Sequence, residues 1–216
     1  KFLTAAFVYA SGHGVKGDLI WAPSQHVVRT LNDAFVASLK YGTATGKRIM
    51  IAVDVSGSMD WPTTATRGGI TARQAAAALA LWLASVEPNV HVVAFSAQLT
   101  PLQIVRGMTI DQVMGIMRTL PASYTNCALP MLTATHEELQ VDTFVVITDN
   151  ETNAASVHPT QALQQYRRAS GILAKLAVLA MTPTEFSVAD PQDGGMFDAC
   201  GFDDAMPGVL HDFIAG

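Results

Sequence analysis

Residues 47–60 read KRIMIAVDVSGSMD. The run KRIMIAV (47–53) is β-branched and continuously apolar after its two basic residues, which reads as a strand buried on both faces inside a parallel sheet. A single acidic residue, Asp54, ends the run, and two hydroxyl residues follow at alternate positions, Ser56 and Ser58. In an extended segment, residues i, i+2 and i+4 point the same way. The stretch therefore predicts three oxygens aimed at one point as the chain leaves the strand, with Gly57 permitting a tight turn between the serines.

Working outward, NVHVVAF (89–95), DTFVVIT (142–148) and LAKLAVLAM (173–181) read as further strands of the same kind. Helical patterns lie between them. Residues 71–88 carry an N-cap Thr71 and stop at Pro88. Residues 109–121 start at N-cap Thr109 and place Val113, Ile116, Met117 and Leu120 at helical spacing. Helices are also predicted over 23–42, 128–139, 158–171 with Gly171 as the C-cap, and about 204–215. The opening FLTAAFVYASGHG reads as a helix capped at Gly12, with a strand as the alternative. This alternation predicts an α/β fold, a doubly wound and mostly parallel sheet flanked by helices with right-handed crossovers. Residues 1–22 are an expected N-terminal extension and 23–216 the domain itself. Ligands of such sheets bind beyond the carboxyl ends of the strands. That singles out the loops 54–60, 96–101 and 149–157.

Composition narrows the class. Of 216 residues half are apolar and 14% charged, which fits one large domain, ahead of two small ones, with a substantial core and argues against disorder. The net charge of −5 lacks the basic footprint of a free-standing nucleic-acid binder. Cys127 and Cys200 make no disulfide framework, so a reducing, cytoplasmic setting is expected. No apolar run approaches the roughly 18 residues of a membrane span, and no signal peptide is visible. The chain begins with Lys1, which suggests a fragment or processed product.

Several motifs fail on context. GHGVKG (12–17) spells the dinucleotide fingerprint, but DLIWAP follows where a helix should start, so it reads as a turn. HEEL (136–139) lacks the second histidine of a zinc hydrolase, and the six histidines show no ligand spacing. An aspartyl-phosphate phosphatase would need a second Asp where Ser56 stands. ADPQDGG (189–195) reads as a turn, and Cys127 as a small apolar residue.

Oxygen-only donors suit a hard divalent cation, Mg²⁺ first and Mn²⁺ or Ca²⁺ as alternatives, and suit zinc poorly. Three oxygens do not complete an octahedron. TDNET (148–152) supplies Asp149 at the end of a neighbouring strand, and YTNCALP (124–130) supplies Thr125 before a helix. DVSGSM, Thr125 and TDNE together resemble, in order, the metal-ion-dependent adhesion site of von Willebrand factor A domains. SGHGVKG, GKRIMIAVDVSGSM, NCALPM, ITDNET, HPTQALQQYRR and FSVADPQDGGMFDACGFD resemble more narrowly the A-type domain of the Ro/TROVE family of RNA-binding proteins, over essentially the whole chain.

That resemblance implies a metal set of Asp54, Ser56, Ser58, Thr125 and Asp149, with Asp149 open to a water-mediated role. One coordination position would remain for a carboxylate from a protein partner. It also implies an upstream ring of helical repeats that holds small non-coding Y RNAs and the ends of misfolded RNAs. The expected function is a non-enzymatic, metal-dependent interaction domain of a Ro-type protein, acting in small RNA binding and RNA quality control. The domain alone is expected to be a monomer that binds RNA weakly or not at all and contacts no membrane. The alternatives are a metal-dependent phosphoester hydrolase and a structural domain with an idle site.

Overall fold

Continuously apolar stretches become the middle of one sheet, because only a strand covered on both faces can bury such a run. The computed structural model describes residues 2–39, 42–61, 70–149, 157–182, 188–201 and 205–216. In chain order its elements are α1 (Phe2–Ser11), α2 (Gln25–Ser38), β1 (Ile49–Asp54), α3 (Ala72–Val86), β2 (Val90–Phe95), β3 (Leu99–Pro101), α4 (Ile110–Arg118), α5 (Leu129–His136), β4 (Thr143–Thr148), α6 (Pro159–Ser170), β5 (Lys175–Ala180), β6 (Met196–Cys200) and α7 (Met206–Ala215). A 3-10 turn, Gly57–Asp60, follows β1.

The strands form one six-stranded sheet in the order β3-β2-β1-β4-β5-β6. Every pairing is parallel except that of β3 on β2. The expected doubly wound, mostly parallel sheet is therefore present, with β1 between β2 and β4. Two strands were not expected. β3 occupies part of the predicted 96–101 loop, and β6 follows the ADPQDGG turn. Both are edge strands, where only one side of the backbone ladder and part of the surface are covered, so neither carries a long apolar run.

Side-chain parity sorts the core into two layers. Ile49, Ile51 and Val53 of β1 join α3, α4 and α7 residues in one cluster, with Leu3 of α1. Met50 and Ala52 join Met131 of α5 and Leu163 and Tyr166 of α6 in the other. β4 and β5 alternate likewise: Val145, Ile147, Ala177 and Leu179 face the first layer, and Phe144, Val146, Leu176 and Val178 the second.

Local signals act as the sequence predicts. Thr71 and Thr109 each cap a helix in a reciprocal capping box with Gln74 and Gln112. Gly171 ends α6 with φ +71°, a left-handed backbone that favours glycine. Gly12 likewise ends α1 with φ +75°, and GHGVKG forms a turn closed by an antiparallel bridge between His13 and Ile20. The ADPQDGG segment is a turn tied to α6, where Arg167 pairs with Asp193 at 2.5 Å. No described helix is long and apolar enough to cross a membrane.

Candidate metal centre

Asp54 is the last residue of β1, level in the sheet with Thr148 at the end of β4, because Val53 pairs with Ile147 one step earlier. Its parity matches Met50 and Ala52, so it lies on the α5–α6 side. The chain crossover from β2 back to β4 makes this end of β1 the switch point of the sheet, where a crevice opens in doubly wound folds.

The Asp54 carboxylate is fully buried. Oδ1 accepts the backbone N–H of Ser56 at 2.8 Å, and Oδ2 accepts the hydroxyl of Thr148 at 2.8 Å. Burial pushes its pKa up to about 6, and the like charge of Asp149 adds to the rise; the hydrogen bonds from Ser56 and Thr148 oppose it. Asp149 is 6% exposed, immediately after β4.

Ser56 and Ser58 meet through a turn and not by strand alternation. The extended backbone ends at Ser56, and the 3-10 turn brings the Ser58 Oγ to 3.1 Å from the Ser56 Oγ. Met59, fully buried in the α3-side cluster, pins the turn from beneath. Gly57 has no left-handed backbone, and a Cβ there would meet nothing within 4 Å. The tight turn expected at Gly57 is present, and as a 3-10 turn it asks for no positive φ.

Thr125 is 2% exposed, in the segment between α4 and α5. Its neighbours Cys127 and Ala128 belong to the same core layer as Met50 and Ala52, which puts this segment on Asp54's side of the sheet. Cys127 is buried in that layer, as its reading as a small apolar residue predicts. Of the predicted 149–157 loop, residues 150–156 lie outside the described residues.

The donors fit a small hard cation. Ser56 Oγ and Ser58 Oγ share a hydrogen bond at 3.1 Å, a spacing at which both oxygens could reach one ion. Among the described residues no cluster of three or more His, Cys, Asp or Glu could hold an ion. A cation here would rest on hydroxyl oxygens as much as on carboxylates.

A family description, the Ro60 vWA domain, matches residues 48–214. The chain belongs to the Ro60 vWA domain family. The RNA-binding protein RO60 of Caenorhabditis elegans is 41% identical over the whole chain, which covers 33% of that protein. The RNA-binding protein RO60 of Deinococcus radiodurans is 43% identical over 99% of the chain, which covers 40% of it. The crystal structure of the Deinococcus radiodurans RO (RSR) protein superposes with a TM-score of 0.87 at 42% identity, over the whole chain and 43% of that one. The chain thus spans between a third and two fifths of the length of these curated relatives.

Around the site of this Ro60 vWA domain stand residues that sequence reasoning missed. Thr148 is one; its signal was its place level with Asp54 on a parallel neighbour. Arg73 of α3 is another, 3% exposed, and its NH2 donates to the Ser56 carbonyl at 3.0 Å. The same guanidinium grips Asp60, Nε to Oδ1 at 2.7 Å and NH2 to Oδ2 at 3.1 Å. Trp61 and Tyr124, 71% and 59% exposed, adjoin the segments of Ser58 and Thr125.

Proposed function

We propose that this Ro60 vWA domain is a non-enzymatic, metal-dependent interaction module. Asp54, Ser56, Ser58, Thr125 and Asp149 would hold a divalent cation, Mg²⁺ before Mn²⁺ or Ca²⁺, with Asp149 able to act through water. When bound, the cation supplies a positive charge that an outside carboxylate can complete. With only two carboxylates in the set, Asp54 and Asp149, the negative charge does not exceed the ion's own, so an acidic group on a protein partner can still approach and bind it. The observation that carries the reading is the Asp54 carboxylate, fully buried and, among the described residues, hydrogen-bonded to neutral donors alone. Burying a carboxylate without a compensating cation is costly.

The relatives are named RNA-binding proteins. The whole protein therefore acts, in this reading, on small non-coding RNA and in RNA quality control, with segments outside this chain as the principal RNA holders. The acidic net charge of −5 favours weak RNA binding by the domain alone. A ligand that binds only the folded state raises the melting temperature with its concentration. Mg²⁺ or Mn²⁺ titrated into the chain should raise it, and Asp54→Ala should abolish the response. Equal responses from the two chains would refute the reading.

A further inference from the structure

The 3-10 turn after β1 ends on a further acid, Asp60, two residues beyond Ser58. A third carboxylate at the ion would set three negative charges, from Asp54, Asp149 and Asp60, against the ion's two and fill the position an outside acid needs. Arg73 engages both oxygens of that carboxylate, Nε to Oδ1 at 2.7 Å and NH2 to Oδ2 at 3.1 Å. Asp60 is 59% exposed in its side chain while Arg73 is only 4% exposed, so the guanidinium is the fixed member of the pair. Its NH2 bond to the Ser56 carbonyl, 3.0 Å, ties it to the segment that presents the serines. A planar fork can hold a carboxylate and a carbonyl at once; an ammonium cannot reproduce that geometry.

We propose that Arg73 is a positioning residue that holds Asp60 aside from the cation and so keeps one coordination position free for a partner's carboxylate. The inference rests on the metal reading of the site. It assigns to a buried arginine the selectivity for an acidic partner: without Arg73, the domain's own Asp60 competes with that partner.

The test uses the 216-residue chain with Mn²⁺, followed by electron paramagnetic resonance, and acetate as the probe carboxylate, followed by water-proton relaxation of the Mn²⁺-loaded chain. Arg73→Met is expected to bind Mn²⁺ about tenfold more tightly and acetate about tenfold more weakly, as a third carboxylate joins the ion. Asp60→Asn alone should leave both within about twofold of the parent, and Asp60→Asn in the Arg73→Met background should restore acetate binding. Arg73→Lys keeps the buried charge and serves if Arg73→Met does not fold; it should shift both affinities the same way, by about threefold. Unchanged affinities in Arg73→Met or Arg73→Lys would overturn the inference while leaving the metal centre intact. So would losses that persist equally in the double variant, which mark a purely structural arginine. A parent chain that binds no Mn²⁺ would overturn the metal centre itself, and this inference with it.

Discussion

Thr148 Oγ1 donates to Asp54 Oδ2 across 2.8 Å, from the end of the strand beside it. Both residues are fully buried. Parallel register makes the contact: with Val53 beside Ile147, the next residues of β1 and β4 lie level and on the same face. The Thr148 hydroxyl and the Ser56 amide each take one Asp54 oxygen, which fixes the plane of the carboxylate. Thr148→Val keeps the shape and removes the donor. It should cost about 1–2 kcal/mol of stability and weaken Mn²⁺ binding about tenfold. Chemical denaturation and a metal titration check both numbers.

Asp54 also sets a pH dependence with opposite signs in the metal-free and metal-loaded states. Its folded pKa, about 6, lies above the ordinary 3.8. Metal-free folding therefore favours the protonated form: the contribution is complete below the ordinary value and is lost as pH rises through 6, a change of about 3 kcal/mol. A cation must displace that proton, so its affinity should fall about tenfold per pH unit below 6 and level off above it. Mn²⁺ titrations at pH 5 and 7 test this, with Asp54→Asn expected to show no comparable slope.

Two other carboxylates work the other way. Arg48 hydrogen-bonds Asp142, and Arg167 does the same to Asp193, and each holds its partner below the usual carboxylate range. Their contribution is present at neutral pH and is lost as pH falls through those depressed values. Asp142→Asn and Asp193→Asn should each flatten the acid limb of a stability–pH curve. Both pairs lie away from the candidate metal centre, so Mn²⁺ affinity at pH 7 should not change.

Tyr166 offers a stability control remote from the candidate metal centre. Its buried hydroxyl accepts the Val141 N–H at 2.7 Å and donates to the Leu139 carbonyl at 2.8 Å. Tyr166→Phe leaves a buried amide without its acceptor and should cost about 1–3 kcal/mol. Metal affinity should remain that of the parent chain, which separates fold stability from site chemistry.

The parts of the fold that were legible in the sequence are those whose environment is uniform. β1 and β4 are buried along their whole length, β5 over most of it and β2 over its second half, and a buried strand needs a run of apolar residues. β3 has three residues, one of them proline, and β6 is only partly buried with Asp198 at its centre, so neither had a period to read. At the candidate site, Asp54, Ser56, Ser58, Thr125 and Asp149 stand out in the sequence as oxygen-bearing residues in ordered motifs. Thr148 and Arg73 were not, because their roles arise from strand register and from a helix folding back over the loop, which spacing along the chain does not encode.

A crystal of this chain grown with Mn²⁺ and read by anomalous scattering tests the central claim most directly. A single peak should lie about 2.2 Å from oxygens of Asp54, Ser56 and Ser58, with the Thr125 hydroxyl close by and a water or carboxylate completing the sphere. A map without a peak there, or a Thr125 hydroxyl remote from the Asp54 carboxylate, would contradict it.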